Sequence, residues 1–286
     1  MKILILTDLE GVSGVNGKSN GIGIQLMNEP AAAQELVNEV NACCEGLLAA
    51  GADEIVVVDG HGASNSIDPL KLHPAASVMH LSGLRPVCYL DSSFDALVQI
   101  GAHAMHTSGA YLCHSFASGC VAHLELNGRE IGEIGIASRI AGYFRVPTIL
   151  VSGDEAACRE ACADLGEQLV TVPTKQPWGR YTAVSYPPEK VCRDLREESE
   201  KALRQLDRAP VPPTEPHYVL RLRTMSPDQA DPLEMIGGKR LDEATVEFES
   251  DDFLDVYAQR SGWATGLHNR RYGITPRWIF PGTGVK

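Results

Sequence analysis

The chain lacks long apolar runs and a basic charge balance, and both absences narrow the classes of protein to which it belongs. No stretch reaches the roughly 18 to 20 apolar residues that a membrane-spanning helix needs. With 25 Lys and Arg against 37 Asp and Glu, the 286 residues carry a net charge of −12. Nucleic-acid binders and proteins that bind anionic membranes need a positive surface. We therefore expect neither nucleic acid nor membrane as a partner.

Paired cysteine motifs are also missing. The eight cysteines form no C-x-x-C pair, and Cys158 and Cys162 have the i, i+4 spacing of a helix. Free and mostly buried thiols in a reducing compartment explain this pattern best. The short apolar run after Met1 and Lys2 soon meets acidic residues, which makes a poor signal peptide. The predicted location is the cytoplasm.

Several common catalytic motifs are absent as well. The chain has no G-x-x-x-x-G-K-[ST] phosphate loop, no H-E-x-x-H zinc motif and no G-x-S-x-G nucleophile elbow. The scattered glycines between residues 119 and 135 do not form a dinucleotide-binding fingerprint. Any catalytic chemistry must therefore come from residues that lie apart in the sequence.

The first two-thirds of the chain alternates strand and helix signals. Continuous apolar runs predict buried strands, and apolar residues near a period of 3.6 predict helices. The predicted strands are 2–6, 54–58, 97–102 and 147–151, and the predicted helices are 30–50, 132–142 and 154–165. This rhythm predicts an α/β fold with a doubly wound, mostly parallel, Rossmann-like sheet.

The last third has a different character. Residues 173–190 are rich in Pro, Gly and aromatic side chains, and a proline-rich linker covers 209–216. The predicted elements here are a charged amphipathic helix 188–208, strands 217–223 and 244–249, and helices 228–236 and 252–265. We predict two domains: an α/β metal-binding catalytic domain over 1–185, and a smaller α+β domain over 186–286 that makes substrate or oligomer contacts.

Two carboxylates, Asp8 and Glu10, directly follow the first apolar run. If the strand continues through residue 10, their i, i+2 spacing points both side chains to one face. The carboxyl ends of parallel strands are where such sheets bind ligands, so the pair suits a hard or borderline cation. The alternative is a solvated turn after an edge strand.

Three further residues extend this pair. His61 and His103 follow predicted strands, and Glu133 begins a predicted helix. A mixed Asp, Glu and His set suits zinc, or less specifically manganese or cobalt. Five ligands are too many for one tetrahedral ion and suit two, with Asp8 as the natural bridge.

Each of these residues also has a simpler interpretation. His103 taken alone fits a hydrogen-bonded core histidine better than a ligand, and Glu133 also fits an acid favoured by the helix dipole. Asp59 either orients the His61 imidazole or caps a turn. His73, His80 and His106 show weaker signals, and His73 fits a loop or capping position.

The motifs themselves resemble those of the zinc-dependent D-aminopeptidases of the DppA type, whose opening reads D-x-E-G-[IV]-S-G. The resemblance extends in order over residues 1 to about 175 and is much weaker over the last hundred. The matching segments are 7–14 (TDLEGVSG), 59–62 (DGHG), 72–74 (LHP), 101–104 (GAHA), 113–115 (CHS), 126–135 (LNGREIGEIG), 141–143 (AGY) and 147–154 (PTILVSGD).

The resemblance implies a specific site and activity. The family's two zinc ligand sets fall on Asp8, Glu10, His61, His103 and Glu133, and its catalytic histidine falls on His114. It implies an aminopeptidase that uses a two-zinc-activated hydroxide on short peptides such as D-Ala-D-Ala. It also implies a homo-oligomeric ring, typically a decamer, with active sites facing an enclosed chamber.

Other functions stay open at this point. An L-aminopeptidase or an amidase would use the same site, and a two-metal phosphoesterase is a poorer alternative because no Lys or Arg accompanies the immediate ligand motifs, although Arg129 lies near. A peptide-binding, transport-associated protein with a structural metal is the alternative from a different class.

Overall fold

Two main sheets organise the chain in the computed structural model, which describes residues 1–62, 65–80 and 90–260. The strands of the described part are β1 (Lys2–Thr7), β2 (Gly17–Ser19), β3 (Ile24–Leu26), β4 (Glu54–Asp59), β5 (Ala76–His80), β6 (Ala96–Ala102), β7 (Val121–Leu126), β8 (Arg129–Glu130), β9 (Thr148–Asp154), β10 (Val170–Gly179), β11 (Thr182–Ser185), β12 (Tyr218–Thr224), β13 (Lys239–Arg240) and β14 (Thr245–Ser250). Its helices are α1 (Glu29–Ala49), α2 (Glu133–Tyr143), α3 (Glu155–Leu165), α4 (Pro188–Arg204), α5 (Pro227–Met235) and α6 (Phe253–Arg260).

The larger sheet has seven strands in the order β11-β10-β9-β6-β1-β4-β5. Every neighbouring pair is parallel except β10 and β11. β1, β4, β6 and β9 are almost entirely buried, which explains their continuous apolar sequences. The predicted mostly parallel α/β sheet is confirmed.

Side chains of β1 alternate between the two faces of this sheet. Ile3 and Ile5 belong to a core cluster shared with α1 and α4, whereas Leu4 and Leu6 belong to a second cluster shared with α2 and α6. α3 packs on β9 and β10 and contributes to a third cluster. Because helices cover both faces, the place where such a sheet binds a ligand is at the carboxyl ends of its strands.

The smaller sheet is antiparallel, with the order β13-β14-β12-β7-β8. Along β12, Tyr218, Leu220 and Leu222 are buried, and Arg221 and Arg223 face solvent. This alternation is typical of an antiparallel sheet with one wet face. The sheet takes β7 and β8 from before residue 186 and the other strands from after it, while α4 packs on α1. The division of the chain at residues 185 and 186 stays a prediction.

The structure also contains elements that the sequence pattern did not predict. These are the hairpins β2–β3, β7–β8 and β10–β11 and the strands β5 and β13. The predicted helix 188–208 ends at Arg204 and is followed by a 3-10 turn, Leu206–Arg208. The described part of the predicted helix 252–265 ends at Arg260, and 261–265 lie outside the described residues.

Cysteine and membrane predictions can be compared with the same described residues. All seven cysteines in these ranges are free thiols, four of them buried, and Cys88 lies outside the described residues. Within these ranges, none of the helices has both the length and the apolar composition that crossing a bilayer requires.

Candidate metal centre

Three neighbouring strands deliver side chains to one edge of the larger sheet. β1 lies between β6 and β4, and all three run parallel, so their carboxyl ends meet. Asp8 follows β1, His61 follows β4 and His103 follows β6. Glu133, the first residue of α2, reaches the same place. The structure therefore brings together residues that lie up to 125 positions apart (133 − 8).

Asp8 and Glu10 converge for a different reason from the one that the spacing suggested. β1 ends at Thr7, so the pair lies in a turn and not on a continued strand. Backbone hydrogen bonds from Asp8 N to Ile100 O and from Gly11 N to Gly101 O, both 2.8 Å, hold this turn against β6. A Cβ atom on Gly11 would lie 1.9 Å from Ala102 O, so only glycine permits this approach. The turn also follows a central strand, not an edge strand.

Asp8 links two groups of ligand atoms. Its Oδ1 lies 2.8 Å from His61 Nδ1, and that same nitrogen lies 3.1 Å from Glu10 Oε2. Its Oδ2 lies 3.3 Å from His103 Nε2, which is also 3.3 Å from Glu133 Oε1. All five predicted ligands thus belong to one continuous cluster with Asp8 in the middle.

His103 of this cluster and the buried neighbour His114 have defined ring orientations. His103 Nδ1 lies 3.1 Å from the Ala104 carbonyl, and His114 Nδ1 lies 2.9 Å from the Leu112 carbonyl. Each Nδ1 can donate its proton there, which leaves Nε2 free to act as a ligand or base. The rings stack with centroids 3.8 Å apart. His103, His114 and Glu133 also offer ligand atoms within 4.8 Å of one another, so His114 lies beside the cluster.

Opposite charges dominate the electrostatics of this cluster. Burial alone would raise the pKa of Asp8, but hydrogen bonds from His103 and His61 hold that pKa well below its usual range. Burial alone would lower the pKa of His61, yet Glu10 and Asp8 raise it to about 11. Burial likewise opposes the charged form of His103, but the interactions with Asp8 and Glu133 outweigh this effect and raise the pKa of His103. The carboxylates therefore stabilise positive charge at this edge.

The cluster has the chemistry of a cation site. The ion pairs of Asp8, Glu10 and Glu133 within the described residues join them only to histidines. Glu10 Oε2 is buried and makes no hydrogen bond with acceptable geometry, although His61 Nδ1 is close. Carboxylate oxygens together with imidazole nitrogens form a donor set that suits zinc. These residues fit a metal ion.

Asp59, His73 and His80 have local partners. Asp59 Oδ2 accepts the amide protons of Ser66 and Ile67 at 2.8 and 3.0 Å, which agrees with the turn-capping alternative. His73 Nδ1 accepts from the Ala75 amide at 3.2 Å, as a loop residue would. His80 lies 3.5 Å from Asp59, and His106 begins a short 3-10 helix.

Buried charged residues around the cluster were missed by sequence reasoning. Lys175 of β10 donates to Glu10 O, and Glu39 of α1 accepts from Ser13 N. Glu160 of α3 accepts from Met105 N at 2.7 Å, and burial raises the pKa of Glu160 to about 7. The sequence offered one signal of a buried charge, which is Lys175 in a segment that also contains Val170 and Val172. No spacing rule predicts which residues this lysine contacts.

Comparison with known proteins gives concordant results. The family model described as D-aminopeptidase, of the peptidase M55 group, matches residues 1–260. A D-aminopeptidase of Bacillus subtilis (strain 168) is 30% identical over 272 residues, which cover 90% of this chain and 94% of that protein. The solved structure described as the Zn-dependent D-aminopeptidase DppA from Bacillus subtilis, a self-compartmentalizing protease, superposes with a TM-score of 0.81 at 28% identity, covering 91% of this chain and 95% of that one. The predicted resemblance and enzyme class, a peptide hydrolase, are confirmed. The chain belongs to the D-aminopeptidase family.

Proposed function

We propose that this protein is a zinc-dependent aminopeptidase that removes the N-terminal residue of short D-amino-acid peptides such as D-Ala-D-Ala. The observation that carries the proposal is the convergence of three carboxylates and two imidazoles at the carboxyl edge of the central sheet, in a member of the D-aminopeptidase family. The zinc dependence of the similar Bacillus subtilis protein supports the choice of metal.

In this proposal, the side chains that would hold two zinc ions are Asp8, Glu10, His61, His103 and Glu133. Asp8 would belong to both groups of ligand atoms, because its two oxygens face different histidines. Manganese or cobalt would fit the same mixed donor set. Bound zinc supplies a Lewis acid that polarises a peptide carbonyl and lowers the pKa of water.

His114 is the proposed catalytic residue. Its Nδ1 faces the Leu112 carbonyl, so its Nε2 is free to accept or donate a proton. The ring lies against His103, which places it at the margin of the ligand cluster. During hydrolysis, His114 would carry a proton to the leaving amino group and stabilise developing charge on the scissile carbonyl.

We further propose that the protein works as a homo-oligomeric ring, a decamer, whose chamber admits only short peptides. The self-compartmentalizing assembly of the similar Bacillus subtilis protease supports an oligomer. The cytoplasm stays the predicted location. Residues after 185 are proposed to contribute substrate and oligomer contacts.

Zinc content and cleavage of two anilides test this function together. Purified protein is expected to bind two zinc ions per chain and to release p-nitroaniline faster from the D-Ala anilide than from the L-Ala anilide. Faster release from the L-Ala substrate would favour the L-aminopeptidase alternative, and cleavage of simple amides alone would favour an amidase. A zinc-loaded protein that cleaves no aminoacyl amide of either hand would refute the proposal and favour a peptide-binding protein with a structural metal.

A further inference from the structure

A fully buried lysine contacts the turn that carries two of the proposed zinc ligands. Lys175 of β10 has no exposed surface. Its Nζ donates to Glu10 O at 2.8 Å and to Val15 O at 3.1 Å. Both acceptors are backbone carbonyls of residues 8–15, which we name the β1 turn. The lysine therefore connects β10 to the β1 turn through two hydrogen bonds.

Neighbouring residues hold the same turn from other directions. Thr174 Oγ1 donates to Gly11 O, and Ser13 Oγ donates to Tyr186 O at 2.6 Å. Glu39 of α1 accepts the Ser13 amide proton at 2.8 Å. The β1 turn is therefore fixed by side chains from β10 and α1 as well as by the backbone of β6.

Packing alone does not explain a charged side chain at position 175. Moving an ammonium group out of water is strongly unfavourable unless hydrogen bonds or opposite charges compensate. Here the hydrogen-bonded partners are carbonyls, and the attracting charges of Glu39, Asp154 and Glu10 lie farther away. An apolar residue would avoid this penalty but would leave the Glu10 and Val15 carbonyls without this donor, so the ammonium supplies two contacts to the turn that an apolar side chain cannot.

We propose that Lys175 is a positioning residue of the metal centre, holding the β1 turn so that the Asp8 and Glu10 carboxylates point together toward His61. This inference rests on the proposed zinc site. Fixing the Glu10 carbonyl fixes the backbone from which the Glu10 side chain projects. Residues that orient ligands in this way typically change metal affinity about 10–100-fold when they are removed.

The test replaces the ammonium while it retains the aliphatic stem. In Lys175→Met, zinc affinity measured by chelator competition on the folded protein should fall by about 10–100-fold. Amide hydrogen exchange of a peptide covering residues 8–16 in the metal-free protein should become roughly tenfold faster. Lys201→Met is the matched control, because this lysine is exposed on α4 and pairs only with Glu198 among the described residues; both measurements should stay at the natural values.

A second pair of variants covers the case in which Lys175→Met leaves Glu39 uncompensated and does not fold. Glu39→Gln keeps an oxygen that can accept the Ser13 amide proton but removes the buried ionisable group. The double variant Glu39→Gln/Lys175→Met then has neither ionisable group. Compared with Glu39→Gln alone, it should show the same loss of zinc affinity and the same faster exchange in the β1 turn.

The outcomes separate this inference from the proposed function. Unchanged zinc affinity in folded Lys175→Met or in the double variant would show that the lysine is only structural, and would overturn the inference while leaving the zinc site intact. Unchanged exchange in residues 8–16 would overturn it equally. If the natural protein itself binds no zinc, the proposed function fails, and this inference fails with it.

Discussion

At the carboxyl edge of the parallel sheet, Glu39 and Lys175 are fully buried, whereas the antiparallel sheet carries Arg221 and Arg223 on its solvent face. The buried groups bond mainly to backbone atoms of the β1 turn. The exposed arginines instead pair with carboxylates on neighbouring strands and loops. The first region removes both groups from water, whereas the two arginines of the second remain exposed.

The difference separates charged groups that lie beside the proposed metal centre from charged groups on a solvent-exposed face. Breaking a buried charge network leaves the remaining partner without compensation, at a cost of several kcal/mol. Exposed ion pairs typically contribute about 0–1 kcal/mol. We therefore expect substitutions at the sheet edge to change metal binding, activity or pH dependence, and substitutions on the antiparallel face to change little.

Asp8→Ala should have the strongest effect, because Asp8 contacts both histidines of the cluster. Removing the proposed bridge should abolish stoichiometric zinc binding and lower kcat/KM for the D-Ala anilide by roughly a thousandfold or more. Zinc analysis after gel filtration and steady-state kinetics measure these effects. Asp228→Ala, which removes an exposed acid of α5, is the control and should behave like the natural protein. Full zinc content in Asp8→Ala would remove Asp8 from the ligand set.

His114→Ala and Glu133→Ala should separate catalysis from metal binding at neighbouring positions. Loss of a proton-transferring group typically lowers turnover by about 10²–10⁴-fold, so His114→Ala should lose activity and retain zinc. Glu133→Ala should lose zinc, and activity with it. Zinc content and kcat measured on both proteins give the comparison. Retention of zinc by Glu133→Ala together with its loss from His114→Ala would reverse the two assignments.

Glu39→Gln should alter the pH dependence of stability. Burial raises the pKa of Glu39 from 4.5 to about 8, with a further increase from Glu35 and opposing effects from the Ser13 amide and Lys175. Between these two pKa values the folded state binds the proton more tightly than the unfolded state, so the free energy of unfolding falls as pH rises. The variant lacks this titration, and its stability relative to the natural protein should increase by about 3 kcal/mol from pH 5 to pH 7.5.

Urea unfolding of the metal-free variant and the metal-free natural protein at the two pH values measures that change. The histidine cluster titrates in both proteins, so its contribution cancels in the stability difference. Lys175 faces Glu39, and burial lowers the pKa of Lys175 to about 8. Removing the Glu39 charge lowers the pKa of Lys175 further. This change also increases the stability of the variant relative to the natural protein as pH rises. A stability difference that is independent of pH would show that Glu39 is not protonated preferentially in the folded state.

Much of the parallel half was predictable because its signals are local. Lys2–Thr7 and Glu54–Asp59 each contain a continuous apolar run, and polar ligands lie within two residues of their ends. The β10–β11 hairpin was not predictable, because Pro173, Lys175 and Pro177 interrupt any strand pattern, and the segment is extended through its pairing with β9 and β11. Its register shift between Pro173 and Lys175 shows how tertiary contacts override local preference.

The candidate site divides in the same way between local and distant signals. Each proposed ligand lies at the end of a strand or the start of a helix, where sheet topology predicts convergence. The support around these ligands is different: the hydrogen bond between Lys175 and Glu10 spans 165 residues, and that between Glu39 and Ser13 spans 26. No periodicity or motif links such positions, so their partnership becomes visible only when the chain is folded.

The smallest effect is expected from Arg223→Ala on the antiparallel sheet. Arg223 contacts Asp242 at 3.2 Å, Glu243 at 3.2 Å and Thr245 Oγ1 at 3.2 Å, and its side chain is 44% exposed. Water screens these pairs, so the free energy of unfolding should fall by no more than about 1 kcal/mol, with zinc content and kcat/KM unchanged. Urea denaturation at low and at 0.5 M salt measures the loss, which should shrink as salt screens the charges. A loss well above 2 kcal/mol, or a change in zinc affinity, would mean that the outer face of this sheet supports the metal centre, and the contrast between the two sheets would not hold.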